Sequence, residues 1–174
     1  ADGIALAELK TRVKNCFQAG ALASGCDVEI QWALGDYLEI KDCWPLAERY
    51  KANAESLGRS FFPLEKIPTT GAGSTDMGNV SHRVPSIHPM IACAPPHVVI
   101  HNPEFAKYAG SETGDAAVLD GAKALAMTAI DVMTDDQLLK DARDQFNETA
   151  DLSAQAVAQA WHGEGDAALG GCGC

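Results

Sequence analysis

Apolar residues recur every three or four positions in several stretches of the chain, and this spacing predicts helices. The predicted helices cover residues 4–23, 45–57, 114–132 and 135–149. Pro45 suits the first turn of the second helix, and Gly58 is a typical C-terminal cap for it. The third helix has an apolar stripe wide enough to pack on a sheet, and its residues are Val118, Leu119, Ala122, Leu125, Ala126, Ala129 and Ile130.

Other stretches have the period of a strand. Val28, Ile30 and Trp32 alternate with polar residues, which predicts a half-buried strand over 27–34. Short apolar runs between loops rich in Pro, Gly, Ser and Thr predict further strands near 65–70, 87–93 and 97–101. We therefore expect an α/β fold over 43–150, preceded over 1–42 by a helix and a strand that bury too little to stand alone. A flexible tail is expected over 151–174.

The composition excludes several classes of partner. Hydrophobic residues make up 47% of the 174 residues and charged residues 21%, a mix typical of a packed domain. The formal net charge of −11 repels a phosphate backbone, so nucleic-acid binding is not expected. No apolar run approaches the roughly 20 residues of a membrane helix, and the N-terminus lacks the pattern of a signal peptide. The expected location is the cytoplasm.

The cysteines follow neither the pattern of a zinc knuckle nor that of a disulfide framework. No C-x-x-C pair occurs among Cys16, Cys26, Cys43 and Cys93, and buried free thiols are the simplest interpretation. Cys172 and Cys174 lie in a glycine-rich terminus that could chelate a metal or oxidise, but a disordered end is the favoured interpretation. The sequence does not assign these two thiols a role.

Two places could carry chemistry. His101 follows the apolar run Val98-Val99-Ile100 and precedes a turn, and α/β enzymes often present a base or a ligand at such a strand end. The second place is the loop GSTDMGNVS, residues 73–81, where glycines permit close approach of a ligand and Ser74, Asp76 and Asn79 offer polar groups. Equally, this loop could be a tight turn whose polar side chains satisfy nearby backbone.

Four motifs follow one another along the chain: G-S-T-D-M-G-N-V-S, V-P-S-I-H-P, H-N-P-E-F and A-K-A-L-A-M-T-A. In that combination the chain resembles the aminoacylase/carboxypeptidase-like zinc metallopeptidases, peptidase family M-twenty. The most similar branch holds p-aminobenzoyl-glutamate hydrolase and the β-alanyl-lysine dipeptidases. Residues 8–30 resemble the last helix and strand of the family's lid, or dimerisation, domain. Only residues after Ala150 fall outside the resemblance.

The resemblance implies the C-terminal part of a metallopeptidase α/β sandwich domain, preceded by a remnant of the lid. It implies hydrolysis of the amide bond of N-acyl amino acids or dipeptides by water activated at two zinc ions. His101 matches the family's last metal ligand, and Ser74, Asp76 and Asn79 are expected to bind substrate. A homodimer through the lid domain is also implied.

The chain departs from the family pattern because it contains neither the H-x-D-type or C-x-H-type motif nor the Glu-Glu pair. The other metal ligands and the general base are therefore expected upstream of this chain. One histidine cannot hold a dinuclear site, so we expect the chain alone to be inactive and to retain no zinc. The alternative is a truncated paralogue, or an association module without hydrolase activity.

Overall fold

The computed structural model of the chain describes residues 3–33, 35–63 and 75–160. Seven helices lie in these ranges: α1 (Gly3–Ser24), α2 (Trp44–Ser56), α3 (Met77–Ser81), α4 (Pro103–Ala109), α5 (Glu112–Thr134), α6 (Asp136–Asn147) and α7 (Ala150–Ala160). The four helices predicted from apolar spacing are confirmed as α1, α2, α5 and α6. Helix α7 covers the first part of the segment for which the sequence predicts a tail.

The predicted α/β fold is wrong, because the described residues form helices and no strand. An isolated parallel bridge joins Asp42 to Ser86. The expected helix-strand remnant over 1–42 keeps its helix alone, and the strand predicted near 65–70 lies outside the described residues. Alternation shows which residues share a face, but a strand forms only where its backbone groups pair with a neighbouring strand.

Near residues 97–101 the backbone groups are used by turns instead. The Val98 N–H donates to Pro95 O over 2.9 Å, and Val99 O accepts from the Asn102 side chain. These local hydrogen bonds occupy backbone groups that a strand would pair with its neighbour.

The chain divides into two units. The first takes its described residues from Ala1–Lys41, Ala72–Val84 and Glu148–Cys174. In this unit α1 packs against α7, and the core is formed by Leu38, Ala156 and Ala160 with Val157 beside them. Helix α3 approaches the backbone at Leu38 so closely that a Cβ on Gly78 would lie 1.8 Å from the Leu38 carbonyl oxygen. Only glycine fits at that contact.

The second unit takes its described residues from Asp42–Gly71 and Pro85–Asn147. Helix α2 packs against α5 and α6, and α4 packs against α5. The core consists of Tyr50, Ala54 and Ala124, with Leu57 and Ile87 packed on it. At its edge Asn53 donates to Thr128 and Asp131, which satisfies polar groups between α2 and α5.

Helix α5 packs with a different face from the one predicted. Its buried residues are small and recur at helical spacing: Gly114, Ala117, Ala124 and Thr128. Small side chains let α2 approach α5 closely, so this face forms the contact. The predicted sheet-packing stripe is instead exposed at Val118, Leu119, Leu125 and Ile130, so that prediction is wrong. Among the described residues, no helix is both long and apolar enough to cross a membrane.

Candidate functional site

His101 lies in the second unit, directly before α4. Its φ of 62° places it in the left-handed region, and among the described residues it is the one non-glycine residue with a positive φ. This conformation costs an ordinary residue roughly 1–2 kcal/mol. Backbone strain of this kind concentrates at functional sites, where the surrounding structure holds the residue in place.

The His101 side chain is exposed at an open depression of about 600 Å³, whose other lining residues include Met90, Ile100 and Phe105. Within the described part of the chain, no hydrogen-bond partner is found for either imidazole nitrogen. An exposed imidazole on a constrained backbone is suited to act as a metal ligand or as a base.

A complete metal site needs more ligands than His101. In residues 3–33, 35–63 and 75–160 there is no group of three or more His, Cys, Asp or Glu side chains that could hold a metal ion. A catalytic zinc ion requires about three protein ligands. His101 therefore fits as one ligand of a metal, and the remaining ligands would have to come from other residues.

The loop residues lie in the other unit. Asn79 uses both ends of its side-chain amide on backbone: its Oδ1 accepts from Leu38 N over 3.1 Å, and its Nδ2 donates to Asp36 O over 2.9 Å. Asp76 is exposed directly before α3, and Ser74 lies outside the described residues. That these residues line one pocket with His101, and that they bind substrate, stay predictions.

Ser81, the last residue of the GSTDMGNVS motif, and the next residue, His82, also bind the segment of Glu39 and Lys41. Ser81 is buried, accepts from Lys41 N over 2.9 Å and donates to Gly78 O over 2.7 Å. His82 is also buried and places Nε2 3.2 Å from Glu39 O, while its Nδ1 is buried without a partner in the described structure. Since a carbonyl only accepts, Nε2 carries the proton. The motif thus satisfies backbone groups of a segment about 40 residues away in sequence.

Burial changes the ionisation of three groups outside the candidate site. Burial lowers the pKa of Lys41, whose ammonium group donates to the Ser153 hydroxyl. The negative charge of Glu148 partly offsets this lowering. Burial raises the pKa of the Cys43 thiol and of the Tyr50 hydroxyl. A buried thiol with a raised pKa is a poor nucleophile. Of the four thiols predicted to be buried, Cys43 is buried and Cys93 is half-buried, whereas Cys16 and Cys26 are exposed, so the prediction is wrong for those two.

The sequence interpretation missed Asn102. Its side-chain Oδ1 accepts from Glu104 N and Phe105 N at 2.8 and 3.1 Å, which caps α4. The signal was present in the sequence, because Asn followed by Pro and Glu is typical of an N-cap, first turn and acidic second position. The apolar run before His101 suggested a strand instead.

Comparison with known proteins gives two long matches. Over 138 residues, 79% of this chain, it is 38% identical to the Xaa-Arg dipeptidase of Homo sapiens and 37% identical to the Xaa-Arg dipeptidase of Mus musculus. These residues are 31% and 32% of the relatives, so the chain spans about a third of their length. No family model matches the chain.

Proposed function

We propose a function for this chain from its membership of peptidase family M-twenty, to which its motifs and its homology to the Xaa-Arg dipeptidases assign it. From this premise we propose that it is the C-terminal portion of a metal-dependent dipeptidase or amidohydrolase. The complete enzyme hydrolyses the amide bond of a dipeptide or an N-acyl amino acid. The dipeptide class is supported by the names of both relatives.

The observation that carries the proposal is the conformation of His101. The chain keeps a histidine at a positive φ in an exposed depression, at the residue that matches the last metal ligand of the family. The left-handed conformation costs roughly 1–2 kcal/mol, so contacts around His101 hold its backbone there. Retention of this conformation favours a role that depends on where the imidazole points.

His101 contributes one ligand, and the other ligands and the general base lie in the part of the enzyme that precedes this chain. When bound, the two zinc ions would polarise the scissile carbonyl and acidify a water molecule. This chain supplies the imidazole and holds its backbone. We also propose that the 174-residue chain alone neither retains zinc nor hydrolyses dipeptides.

Substrate binding is proposed for the segment 73–81, which the sequence predicts as a loop and whose residues Met77–Ser81 form α3. Asp76 is exposed, and its carboxylate accepts from the neighbouring Thr75 hydroxyl over 3.3 Å. A carboxylate has further lone pairs that can accept from the cationic or amide groups of a dipeptide. Asn79 acts with Asp76 by holding the loop on the segment at Leu38, and Ser74 completes the polar set. The proposed assembly is a cytoplasmic homodimer formed through the lid domain.

The test compares the 174-residue chain with the full-length polypeptide that carries it. Both are assayed with a panel of dipeptides and N-acyl amino acids, before and after chelation and after zinc is restored. We expect activity of the full-length protein that chelation removes and zinc restores, and none from the chain alone. A full-length protein that folds, binds zinc and cleaves no substrate would refute the hydrolase and favour an association module.

A further inference from the structure

The side chain of Asn102 holds the backbone on both sides of His101. We infer that Asn102 is a positioning residue, which fixes His101 in its left-handed conformation and so sets the direction of the imidazole. This inference rests on the proposed role of His101 in the complete enzyme. Its structural part, the dependence of the His101 backbone on Asn102, stands independently of that role.

The hydrogen bonds of Asn102 reach across the turn. Its Nδ2 donates to Val99 O over 2.6 Å, two residues before His101. Its Oδ1 accepts from Glu104 N and Phe105 N, on the first turn of α4. One planar amide therefore joins the chain that enters His101 to the helix that follows it. The backbone of His101 cannot rotate to an extended φ without breaking the bond to Val99.

The bond to Val99 is more than helix capping requires. An N-cap residue needs only an acceptor oxygen for the free N–H groups of the first turn. Asn102 also uses its donor, and among the side chains that favour the N-cap position only asparagine combines a carbonyl oxygen with an N–H₂ group. The choice of asparagine is thus explained by the bond to Val99, which acts on His101.

Restraint of the His101 backbone affects the position of the imidazole in the depression. Pro103 follows at the first position of α4, where its ring fixes its own φ and restricts Asn102 to extended backbone. Ile100 and Phe105 line the same depression as His101. The φ of His101 sets the direction of its Cα–Cβ bond, from which χ1 and χ2 orient the ring. A displacement of about 1 Å at such a group can cost on the order of 100-fold in rate.

Nuclear magnetic resonance of the 174-residue chain tests the structural part. At a positive φ the amide proton and Hα of one residue lie close, so the intraresidue NOE of His101 should be strong. Asn102→Asp keeps the capping oxygen and removes the donor to Val99. Asn102→Ser keeps a capping hydroxyl, but one oxygen, a bond closer to the backbone, replaces the two ends of the amide that reach Val99 and α4. Both variants should weaken this NOE while α4 stays helical. The matched control is Lys107→Gly, which destabilises α4 without touching Asn102 and should leave the NOE strong.

A wild-type NOE at His101 in both Asn102 variants would overturn the inference. Asn102→Ala loses the cap as well, so it is interpreted only beside the two capping variants. Amide protection of α5 verifies that each variant is folded.

The positioning role is measured as zinc affinity of the full-length polypeptide. Asn102→Asp should lower the affinity about 10- to 100-fold, the range found when support of a metal ligand is removed, and Lys107→Gly should not. His101→Ala distinguishes the two hypotheses. Retention of zinc in His101→Ala refutes the proposed ligand role, whatever Asn102 does. Loss of zinc in His101→Ala together with unchanged affinity in Asn102→Asp overturns the positioning role alone.

Discussion

Removal of the Asn79 side chain should loosen the first unit where α3 is bound to the segment before Lys41. Asn79→Ala deletes the hydrogen bonds to Leu38 N and Asp36 O. Leu38 is 4% exposed, so water replaces the lost acceptor poorly. Each such bond contributes about 1 kcal/mol net, so the two together should cost about 2 kcal/mol of local stability. This corresponds to roughly 30-fold faster exchange of the Leu38 amide.

The assay is amide hydrogen exchange of the native chain, followed residue by residue. Asn79→Asp keeps the acceptor for Leu38 N and loses the donor to Asp36 O, so it should fall between wild type and Asn79→Ala. Asn147→Ala, an exposed asparagine at the end of α6, is the matched control and should change no amide of the first unit. Wild-type protection of the Leu38 amide in Asn79→Ala would refute the assigned role of Asn79.

Two further outcomes follow from the packing and the charges. Gly78→Ala places a Cβ against the Leu38 carbonyl oxygen and should cost more than about 2 kcal/mol of unfolding free energy in urea, whereas Gly20→Ala, with open space around its Cβ, should cost nothing. The pKa of Asp135 is lowered by a backbone N–H of α6 and then by Arg49. The ionised Asp135 therefore stabilises the folded chain fully above its ordinary pKa of 3.8, and this stabilisation is lost as the pH falls through the lowered value. Asp135→Asn should lose less unfolding free energy than wild type between pH 6 and pH 3. An identical loss in the two proteins would contradict the assignment.

The accuracy of the sequence predictions follows the range of the interactions. Helices α1, α2, α5 and α6 were predictable because their hydrogen bonds and apolar faces repeat within a few residues. Strands depend on a partner elsewhere in the chain, and the apolar run before His101 formed turns instead. The packing face of α5 was predicted wrongly for the same reason. The pattern shows which face of a helix is apolar, but contacts with distant parts of the chain determine which face is buried.

The candidate site was predictable in part for the same reason. The motif around His101 identified a relative of the dipeptidases, and Asn102-Pro103 carried a readable capping signal. The partners of Asn79 and His82, at Asp36, Leu38 and Glu39, are about 40 residues away and leave no local pattern. The left-handed φ of His101 also has no signature in the sequence, because histidine is enriched in that region but most histidines lie outside it.

The most direct test of the central claim is the zinc content of the full-length polypeptide that carries this chain, measured in wild type, His101→Ala and His97→Ala. His97 is the matched control because it is an exposed histidine four residues away. The account predicts that His101→Ala loses bound zinc and dipeptidase activity while its helical circular dichroism is unchanged, and that His97→Ala keeps both. Full zinc occupancy and normal turnover in His101→Ala would contradict it.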